Sequence, residues 1–370
     1  MRLEDICTVF TDGDWIESKD QSESGIRLVQ TGNIGEGTYL EKEARAKYIS
    51  EDTFNKLKCT EIFSGDILVS RLPEPVGRAC IVPEKAERMI TAVDCTICRP
   101  NESLISKEYL CYFMRSKAYY TRLLGNVTGT TRKRISRKNL GNVELRVPAK
   151  DEQKAVVEQL DCLVKVIDSR TKELQLLDDL IKARFVELFG NPDLNEKEWN
   201  IYKMEQLCEV GSSKRIYQNE QSMIGIPFLR ISDLVNRMDI GSKECELYIP
   251  EERYEELKEH ELVPIEGDIL LTARGTLGRC YIVQEDDEFY FQDGMITWLS
   301  NFDEKITALY ISYLFSMPGF RKQIDLLQAG STVAYLSISM TKKLDIMVPP
   351  LELQIQFADF VKQVDKSKVI

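Results

Sequence analysis

The chain has 370 residues, of which 43% are hydrophobic and 29% charged, a globular composition with enough apolar material for two domain cores. It has no run of about 18 apolar residues that would span a membrane and no apolar signal-peptide segment near the N-terminus, so we expect a cytoplasmic protein. The formal net charge of -11 argues against a non-specific nucleic-acid coat, yet it allows a site-specific binder whose basic residues lie close together.

Residues 1–150 and 200–350 carry the same pattern, written twice. Matching segments follow in the same order at a nearly constant offset, which indicates an internal duplication and predicts two similar domains related by a pseudo-two-fold axis. The matches include Tyr48-Ile49-Ser50-Glu51 with Tyr248-Ile249-Pro250-Glu251, Gly65-Asp66-Ile67-Leu68 with Gly267-Asp268-Ile269-Leu270, Gly129-Thr130-Thr131 with Gly330-Ser331-Thr332, and Val147-Pro148 with Val348-Pro349.

Each copy mixes short strands with amphipathic helices, which predicts an α+β domain. A Gly-Asp turn opens one strand in each copy, and a second strand follows it. Pro318 is expected to break the last helix of the second copy. The predicted strands lie at 65–71, 78–83, 267–274 and 279–284, and the predicted helices at 51–58, 107–124, 251–260 and 308–327.

Residues 151–189, between the copies, have apolar residues at alternating steps of three and four, as in the seam of a coiled coil. No Gly or Pro interrupts them, and Gly190-Asn191-Pro192 ends the helix. At a rise of about 1.5 Å per residue, the helix would be roughly 55–60 Å long. The seam residues are Val156, Leu160, Leu163, Ile167, Leu174, Leu177, Ile181, Phe185 and Leu188.

Residues 351–370 repeat the beginning of this helix and are the candidate partner helix, with Phe357, Val361 and Val364 as their seam. This second helix is about half as long as the first in this sequence. We therefore expect the distal half of the first seam, from Leu174 to Leu188, to lack a counterpart and to be available for self-association. Polar substitution at Leu174 and Leu177 would then alter self-association more than stability.

Catalytic and metal-binding motifs are absent from the sequence. No Gly-rich dinucleotide or phosphate loop occurs, and His260 is the only histidine, so we expect no catalytic residue and no bound cofactor. Cys95 and Cys98 form a C-x-x-C without a second pair at zinc spacing. They are interpreted as buried reduced thiols rather than as a metal site.

A basic loop at 129–138 contains five basic residues and no acidic one, although the chain as a whole is acidic. Arg binds phosphate, or guanine O6 and N7 with two hydrogen bonds, which predicts DNA contact; a solvated basic loop is the alternative. The second copy keeps the loop frame at 330–337 but changes its residues, as two readers of different sequences would. The candidates are Thr130, Thr131, Arg132, Lys133, Arg134, Ser136, Arg137, Lys138, Ser331, Thr332, Tyr335 and Ser337.

A second loop follows the Gly-Asp strand in each copy. It holds Arg71 and Arg78 in the first copy and Arg274 and Arg279 in the second. Each of these arginines is a candidate for DNA contact, with pairing to a nearby carboxylate as an equally open alternative. Weaker candidates lie at two matching polar strand ends, at Gln30, Thr31, Asn33, Arg230 and Ser232.

The whole chain resembles the specificity subunits of Type I restriction-modification enzymes. The resemblance rests on the duplicated frame, the Gly65-Asp66-Ile67-Leu68 strand, the Gly129-Thr130-Thr131 loop and the Val147-Pro148 lead into a long helix that ends Leu188-Phe189-Gly190-Asn191-Pro192. It implies target-recognition domains at 1–150 and 191–350, separated by antiparallel helices at 151–190 and 351–370.

In that family each domain reads one half of a bipartite, asymmetric DNA target, and the helices fix the gap between the halves. The resemblance implies a non-catalytic subunit that directs methyltransferase subunits and a restriction subunit to the target. S-adenosylmethionine and ATP would bind those partners and not this chain.

Two other functions remain open from the sequence alone. The chain could be an enzyme itself, as a fragment of a DNA methyltransferase or nuclease, although the absent cofactor loops argue against that. It could also be a coiled-coil adaptor that binds only proteins. A DNA reader loses affinity steeply as salt rises, whereas an adaptor has no such DNA affinity to lose.

Overall fold

The computed structural model describes residues 1–129, 133–328 and 334–368. The predicted contacts at Thr130, Thr131, Arg132, Ser331 and Thr332 lie outside these residues. The chain divides into two compact units, Met1–Ser169 and Arg170–Ile370, which are described separately as unit 1 and unit 2. Within the described ranges, no helix is both long and apolar enough to cross a membrane.

Unit 1 is built of short strands with helices between them, as predicted. Its strands are β1 (Cys7–Asp12), β2 (Ile26–Val29), β3 (Tyr48–Ile49), β4 (Glu61–Ile62), β5 (Ile67–Ser70), β6 (Ala79–Ile81), β7 (Met89–Thr91), β8 (Cys95–Pro100), β9 (Val127–Thr128) and β10 (Arg134–Ile135). Its helices are α1 (Glu51–Leu57), α2 (Lys107–Phe113), α3 (Lys117–Leu124) and α4 (Arg137–Gly141).

Two four-stranded sheets form the centre of unit 1, in the orders β1-β8-β5-β6 and β3-β2-β7-β4. Strand β5 is buried along its length and pairs with β8 in antiparallel register, Ile67 opposite Cys98 and Ser70 opposite Cys95. Its side chains alternate between two cores: Ile67 and Val69 face the core beneath α2 and α3, and Leu68 faces the second sheet. The ladder of β5 with β8 therefore carries both cores of unit 1.

The long helix α5 (Lys150–Phe189) confirms the uninterrupted helix expected at 151–189. The strands of unit 2 are β11 (Asn200–Lys203), β12 (Glu209–Gly211), β13 (Ile226–Leu229), β14 (Tyr248–Ile249), β15 (Ile269–Thr272), β16 (Cys280–Ile282), β17 (Tyr290–Phe291), β18 (Ile296–Ser300) and β19 (Asp345–Val348). Its helices are α6 (Ile231–Ile240), α7 (Glu251–Glu259), α8 (Ala308–Ser316), α9 (Pro318–Leu327), α10 (Ile338–Lys342) and α11 (Leu351–Lys368).

Unit 2 repeats the backbone plan of unit 1. Its central sheet has the order β12-β18-β15-β16, which corresponds strand by strand to β1-β8-β5-β6. Ile269 lies opposite Leu299 and Thr272 opposite Ile296, in the register that Ile67 and Ser70 have in unit 1. The mixed α+β class and the duplication are both confirmed.

The helix expected at 107–124 is two helices, α2 and α3. The break comes at Ser116, whose hydroxyl accepts a hydrogen bond from the backbone N–H of Tyr119 and caps the second helix. In unit 2 the predicted break is confirmed, because Pro318 occupies the first position of α9. A serine cap therefore separates two helices in unit 1 where a proline does so in unit 2.

The distal seam of α5 is covered, so the expectation that it lacks a counterpart is wrong. Ile181, Phe185 and Phe189 are buried in one core with Phe357 and Val361 of α11. The rings of Phe185 and Phe357 meet edge to face with centroids 5.5 Å apart.

The pairing of these two helices is antiparallel. Arg170, where unit 2 begins, donates 3.2 Å hydrogen bonds to the carbonyls of Ser367 and Lys368 at the other end of α11. Antiparallel packing sets the start of α11 against the end of α5, whereas the repeat offset aligned α11 with the start of α5. Exposed apolar side chains occur along the length of α5, with Leu163 58%, Val166 60% and Leu176 59% exposed.

A buried glutamine anchors the start of each long helix. The side-chain oxygen of Gln153 accepts from the N–H of Ser106, and its nitrogen donates to the carbonyls of Leu104 and Pro148. Gln354 makes the corresponding bonds with Thr307, Lys305 and Pro349 in unit 2. Buried polar groups need hydrogen-bond partners. These bonds connect the start of α5 to the loop before α2, and the start of α11 to the loop before α8.

We predict that Ile181→Ala lowers the free energy of unfolding by about 2–5 kcal/mol, because it opens a cavity in a core with aromatic neighbours. Leu163→Ala, an exposed position on the same helix, should change it by less than about 1 kcal/mol. Urea unfolding of the full chain measures both values. Equal losses in the two variants would contradict the assigned packing of α5.

Candidate nucleic-acid interface

Five charged side chains meet at one end of the central sheet of unit 1. They come from chain positions far apart because neighbouring strands end together: β1 ends at Asp12, Arg71 follows β5, and Asp94 precedes β8. Backbone bonds hold the edges together, with the N–H of Arg71 donating to the Asp94 carbonyl and the N–H of Ile135 donating to the Arg71 carbonyl. The five residues, called the charged cluster below, are Asp12, Arg71, Asp94, Arg134 and Arg137.

Arg71 is an internal brace of this cluster and is only 5% exposed. Its guanidinium donates to the Val93 carbonyl at 2.5 Å and lies 3.3 Å from an Asp12 carboxylate oxygen. Burial lowers the pKa of the guanidinium, while the charge of Asp12 opposes that shift. This predicted contact residue therefore faces the protein interior and orients Asp12.

The two outer arginines are each placed beside a carboxylate. Arg134 lies 2.8 Å from Asp94, and Arg137 lies 3.9 Å from the Asp12 oxygen that Arg71 also approaches. The other Asp12 oxygen accepts a hydrogen bond from the Thr96 hydroxyl. Because the side chains of Arg134 and Arg137 are 46% and 47% exposed, each presents part of its guanidinium outward.

A surface cavity of about 400 Å³ adjoins the charged cluster. Asp12, Arg137 and Lys138 line it together with Glu4 and Phe10. Lys133 and Lys138 of the basic loop are exposed, and their DNA contact stays a prediction.

Ser136 and Ser337 have a structural role at matching positions. The Ser136 hydroxyl accepts the N–H of Asn139 and caps α4, and the Ser337 hydroxyl accepts the N–H of Met340 and caps α10. The signal for this role was present in the sequence, since a serine before a short helical stretch is a common N-cap. Their predicted DNA contact stays a prediction, with the hydroxyl already engaged.

Arg78 holds its own loop in place. Its guanidinium donates to the carbonyls of Ile34, Leu72, Pro75 and Thr31 at 2.7 to 3.2 Å. Because the guanidinium N–H groups of Arg78 already bond to these carbonyls, few donors remain for a DNA phosphate or base.

The matching residues of unit 2 are arranged differently. Arg279, the counterpart of Arg78, pairs with Asp239 at 2.6 Å near the surface. Arg274 is exposed, and its guanidinium lies over the ring of Tyr335, 4.9 Å from the centroid. Such stacking is a cation–π contact, which holds the guanidinium without neutralising its charge.

The weaker candidates at the strand ends form turns. Asn33 is buried, accepts from the N–H of Gln30 and donates to the Leu40 carbonyl, and the Thr31 carbonyl accepts from Arg78. In unit 2, Asp233 takes the place of Asn33. Arg230 pairs with it and with Glu246, and Ser232 lies beside it.

Cys95 and Cys98 are buried, as predicted. Burial raises the pKa of the Cys95 thiol to about 12, so the thiol is protonated at neutral pH. In the described ranges, no group of three or more His, Cys, Asp or Glu residues could hold a metal ion.

A family model described as the Type I restriction modification DNA specificity domain matches residues 1–178 and 196–370. The chain belongs to this family. The two matched segments correspond to the two copies and include most of both long helices.

Curated relatives of this chain are named specificity subunits of type I restriction enzymes. A putative type I restriction enzyme specificity subunit of Haemophilus influenzae is 28% identical over 62% of this chain and 57% of its own length. The EcoKI specificity subunit of Escherichia coli is 25% identical over 74% of this chain and 60% of its own length. The matched region thus spans about three-fifths of each of these relatives.

Solved structures resemble the fold along the whole chain. One, from a study of complex assembly and conformational transition of the type I R-M system, has a TM-score of 0.55 at 16% identity and covers 100% of this chain and 90% of its own. The type I system S subunit from M. genitalium has a TM-score of 0.53 at 14% identity, covering 100% of this chain and 89% of its own. These identities support the fold alone.

We predict that Arg78→Met destabilises the chain by about 2–4 kcal/mol, since it leaves several carbonyls without their donor. Arg279→Met at the matching position should cost less than about 1 kcal/mol, because it removes one surface ion pair. Thermal unfolding compares the two variants directly. A larger loss for Arg279→Met would contradict the different roles assigned to them.

Proposed function

We propose that this chain is the DNA-reading subunit of a Type I restriction-modification system, and that each unit reads one half of a bipartite double-stranded target. The observation that carries the proposal is one backbone frame with two different sets of side chains. Unit 1 presents guanidinium groups beside carboxylates, and unit 2 presents Arg274 over Tyr335. Two readers of unlike half-sites need this combination of a common frame and different contacts.

The charge distribution supports specific rather than general DNA binding. Exposed Lys133, Arg134, Arg137 and Lys138 gather positive charge at one end of unit 1, in a chain of net charge -11. Lysine suits phosphate contact and arginine suits base contact. The remaining negative surface repels DNA elsewhere, which favours approach through this end.

The chemistry in this proposal belongs to the partners. The chain brings methyltransferase subunits and a restriction subunit to the target in the cytoplasm, and these subunits bind S-adenosylmethionine and ATP. The partly exposed apolar residues of α5, Leu163 and Val166 among them, offer a surface on which a partner subunit docks. The chain itself is non-catalytic, consistent with the sequence motifs and with the naming of its relatives as specificity subunits.

The proposal is tested by selecting bound duplexes from a random-sequence pool with the full chain and its modification subunit. We expect one motif with two unlike halves, and an affinity that falls linearly with salt on logarithmic axes. Binding without salt dependence or motif would favour the protein-only adaptor. Methyl transfer from radiolabelled S-adenosylmethionine by the chain alone would favour the enzyme.

Charge and base contacts are separable by mutation. We predict that Lys133→Ala and Lys138→Ala weaken binding to all sequences alike and reduce the salt slope by about 1 each. Joint replacement of Arg132 and Arg134 by Ala should instead weaken recognition of one half-site and leave the other readable. Arg274→Ala is the matched variant in unit 2 and should affect the opposite half. Equal loss at both halves in the Arg132 and Arg134 variant would refute this assignment of the loop.

A further inference from the structure

The backbone aligns four positions of the charged cluster with four positions of unit 2. The N–H of Arg71 donates to the Asp94 carbonyl at 2.9 Å, and that of Ala273 donates to the Met295 carbonyl at 3.0 Å. Arg71 therefore corresponds to Ala273, and Arg274 is the residue that follows it.

The remaining two positions follow from the same framework. The N–H of Ile135 donates to the Arg71 carbonyl, and that of Leu336 donates to the Ala273 carbonyl, which aligns the preceding residues Arg134 and Tyr335. Thr11 pairs with Ile97 as Gly211 pairs with Trp298, which aligns the next residues, Asp12 and Ser212.

All four positions change together between the units. Two carboxylates and two guanidinium groups in unit 1 are replaced by a hydroxyl, a methyl group, a thioether and a phenol in unit 2. The pairs are Asp12 with Ser212, Arg71 with Ala273, Asp94 with Met295, and Arg134 with Tyr335. Each carboxylate approaches an arginine of the cluster, and in unit 2 both carboxylates and both of these arginines are replaced.

We propose that Asp94 and Asp12 are positioning residues for DNA recognition, which hold Arg134 and Arg137 so that their outward edges bind guanine O6 and N7 in the half-site of unit 1. The inference rests on the proposed function and deepens it. It assigns the carboxylates a role in sequence discrimination, and it names guanine as the base that the cluster reads.

The physical reason is the rigidity that bidentate recognition demands. A free arginine loses side-chain entropy when it is fixed on a base. An arginine already held by a carboxylate at 2.8 Å has lost much of this freedom before binding. The carboxylate also offsets part of the positive charge, so it reduces attraction to phosphates of any sequence and favours the base contact.

Unit 2 holds its arginine by another means. Arg274 follows Ala273 in the chain and lies over the ring of Tyr335, which occupies the position of Arg134. The guanidinium is thus displaced by one residue and supported by an aromatic face. Under the proposed function, a displaced guanidinium would meet a different base step, as two unlike half-sites on one frame require.

The test is duplex selection from a random-sequence pool by the full chain with its modification subunit, comparing Asp94→Asn with the unaltered chain. We expect discrimination for guanine in one half-site to fall about tenfold, the range of a single bidentate contact. The other half-site should be unchanged, and affinity for unrelated duplexes should stay equal or rise, because a negative charge is removed.

Two further variants separate positioning from folding. Arg134→Lys keeps the positive charge but lacks the planar guanidinium that makes two parallel hydrogen bonds. Because the Arg134 side chain is 46% exposed, we expect the substitution to leave the fold intact. The variant should lose the same preference for guanine. Glu51→Gln is the control, since it removes a carboxylate from a surface pair with Arg88, 2.6 Å apart in the same unit. It should leave both half-sites intact.

The outcomes distinguish the inference from the function beneath it. An unchanged motif in Asp94→Asn and Arg134→Lys, or equal weakening of both halves, would overturn the positioning role while leaving DNA reading in place. The same holds for selection of a unit 1 half-site without guanine. An unaltered chain that selects no motif at all would overturn the proposed function and this inference together.

Discussion

The antiparallel ladder between β5 and β8, repeated between β15 and β18, is the constraint on which the rest of each unit depends. Its strands are buried, and their side chains alternate between two cores. The ladder itself supplies the backbone hydrogen bonds and the buried apolar side chains. The residues just beyond its ends can therefore differ between the two units. Asp94 and Met295 stand at one such place, with equivalent backbone bonds and unrelated side chains. The fold thereby separates what stabilises a unit from what the unit presents to a partner.

The arginines of the two units illustrate this separation. Arg71 and Arg78 donate hydrogen bonds to backbone carbonyls, and Arg71 also pairs with the Asp12 carboxylate. These contacts stabilise the loop beneath the surface. Arg134 and Arg137 keep exposed edges above that foundation. In unit 2 the buried arginine is replaced by Ala273, and the exposed one is Arg274 on its tyrosine. A count of positive residues would treat all these arginines alike. Their burial and hydrogen-bond partners separate those that stabilise the loop from those with an exposed guanidinium that could contact DNA.

Most of the fold was predictable from the sequence because its signals are local. The Gly-Asp strands, the duplication and the uninterrupted α5 follow from periodicity and repeated segments. The repeat offset did not predict which part of α5 contacts α11, since an offset relates equivalent residues and not contacting ones. Phe185 and Phe357 meet because the helices are antiparallel, as the family resemblance implied. The basic loop is visible in the sequence, and its DNA contacts stay a prediction. Asp12 and Asp94 were missed because their partners lie across a strand pairing that no local pattern reveals.

In the proposed function one duplicated frame reads two different half-sites, and methylome sequencing tests this claim most directly. Cells that express this chain with its methyltransferase partner are compared with cells that lack the chain. This claim predicts a new bipartite motif with two unlike halves, each containing a methylated adenine. Two identical halves, or no new motif from an assembled complex, would contradict it.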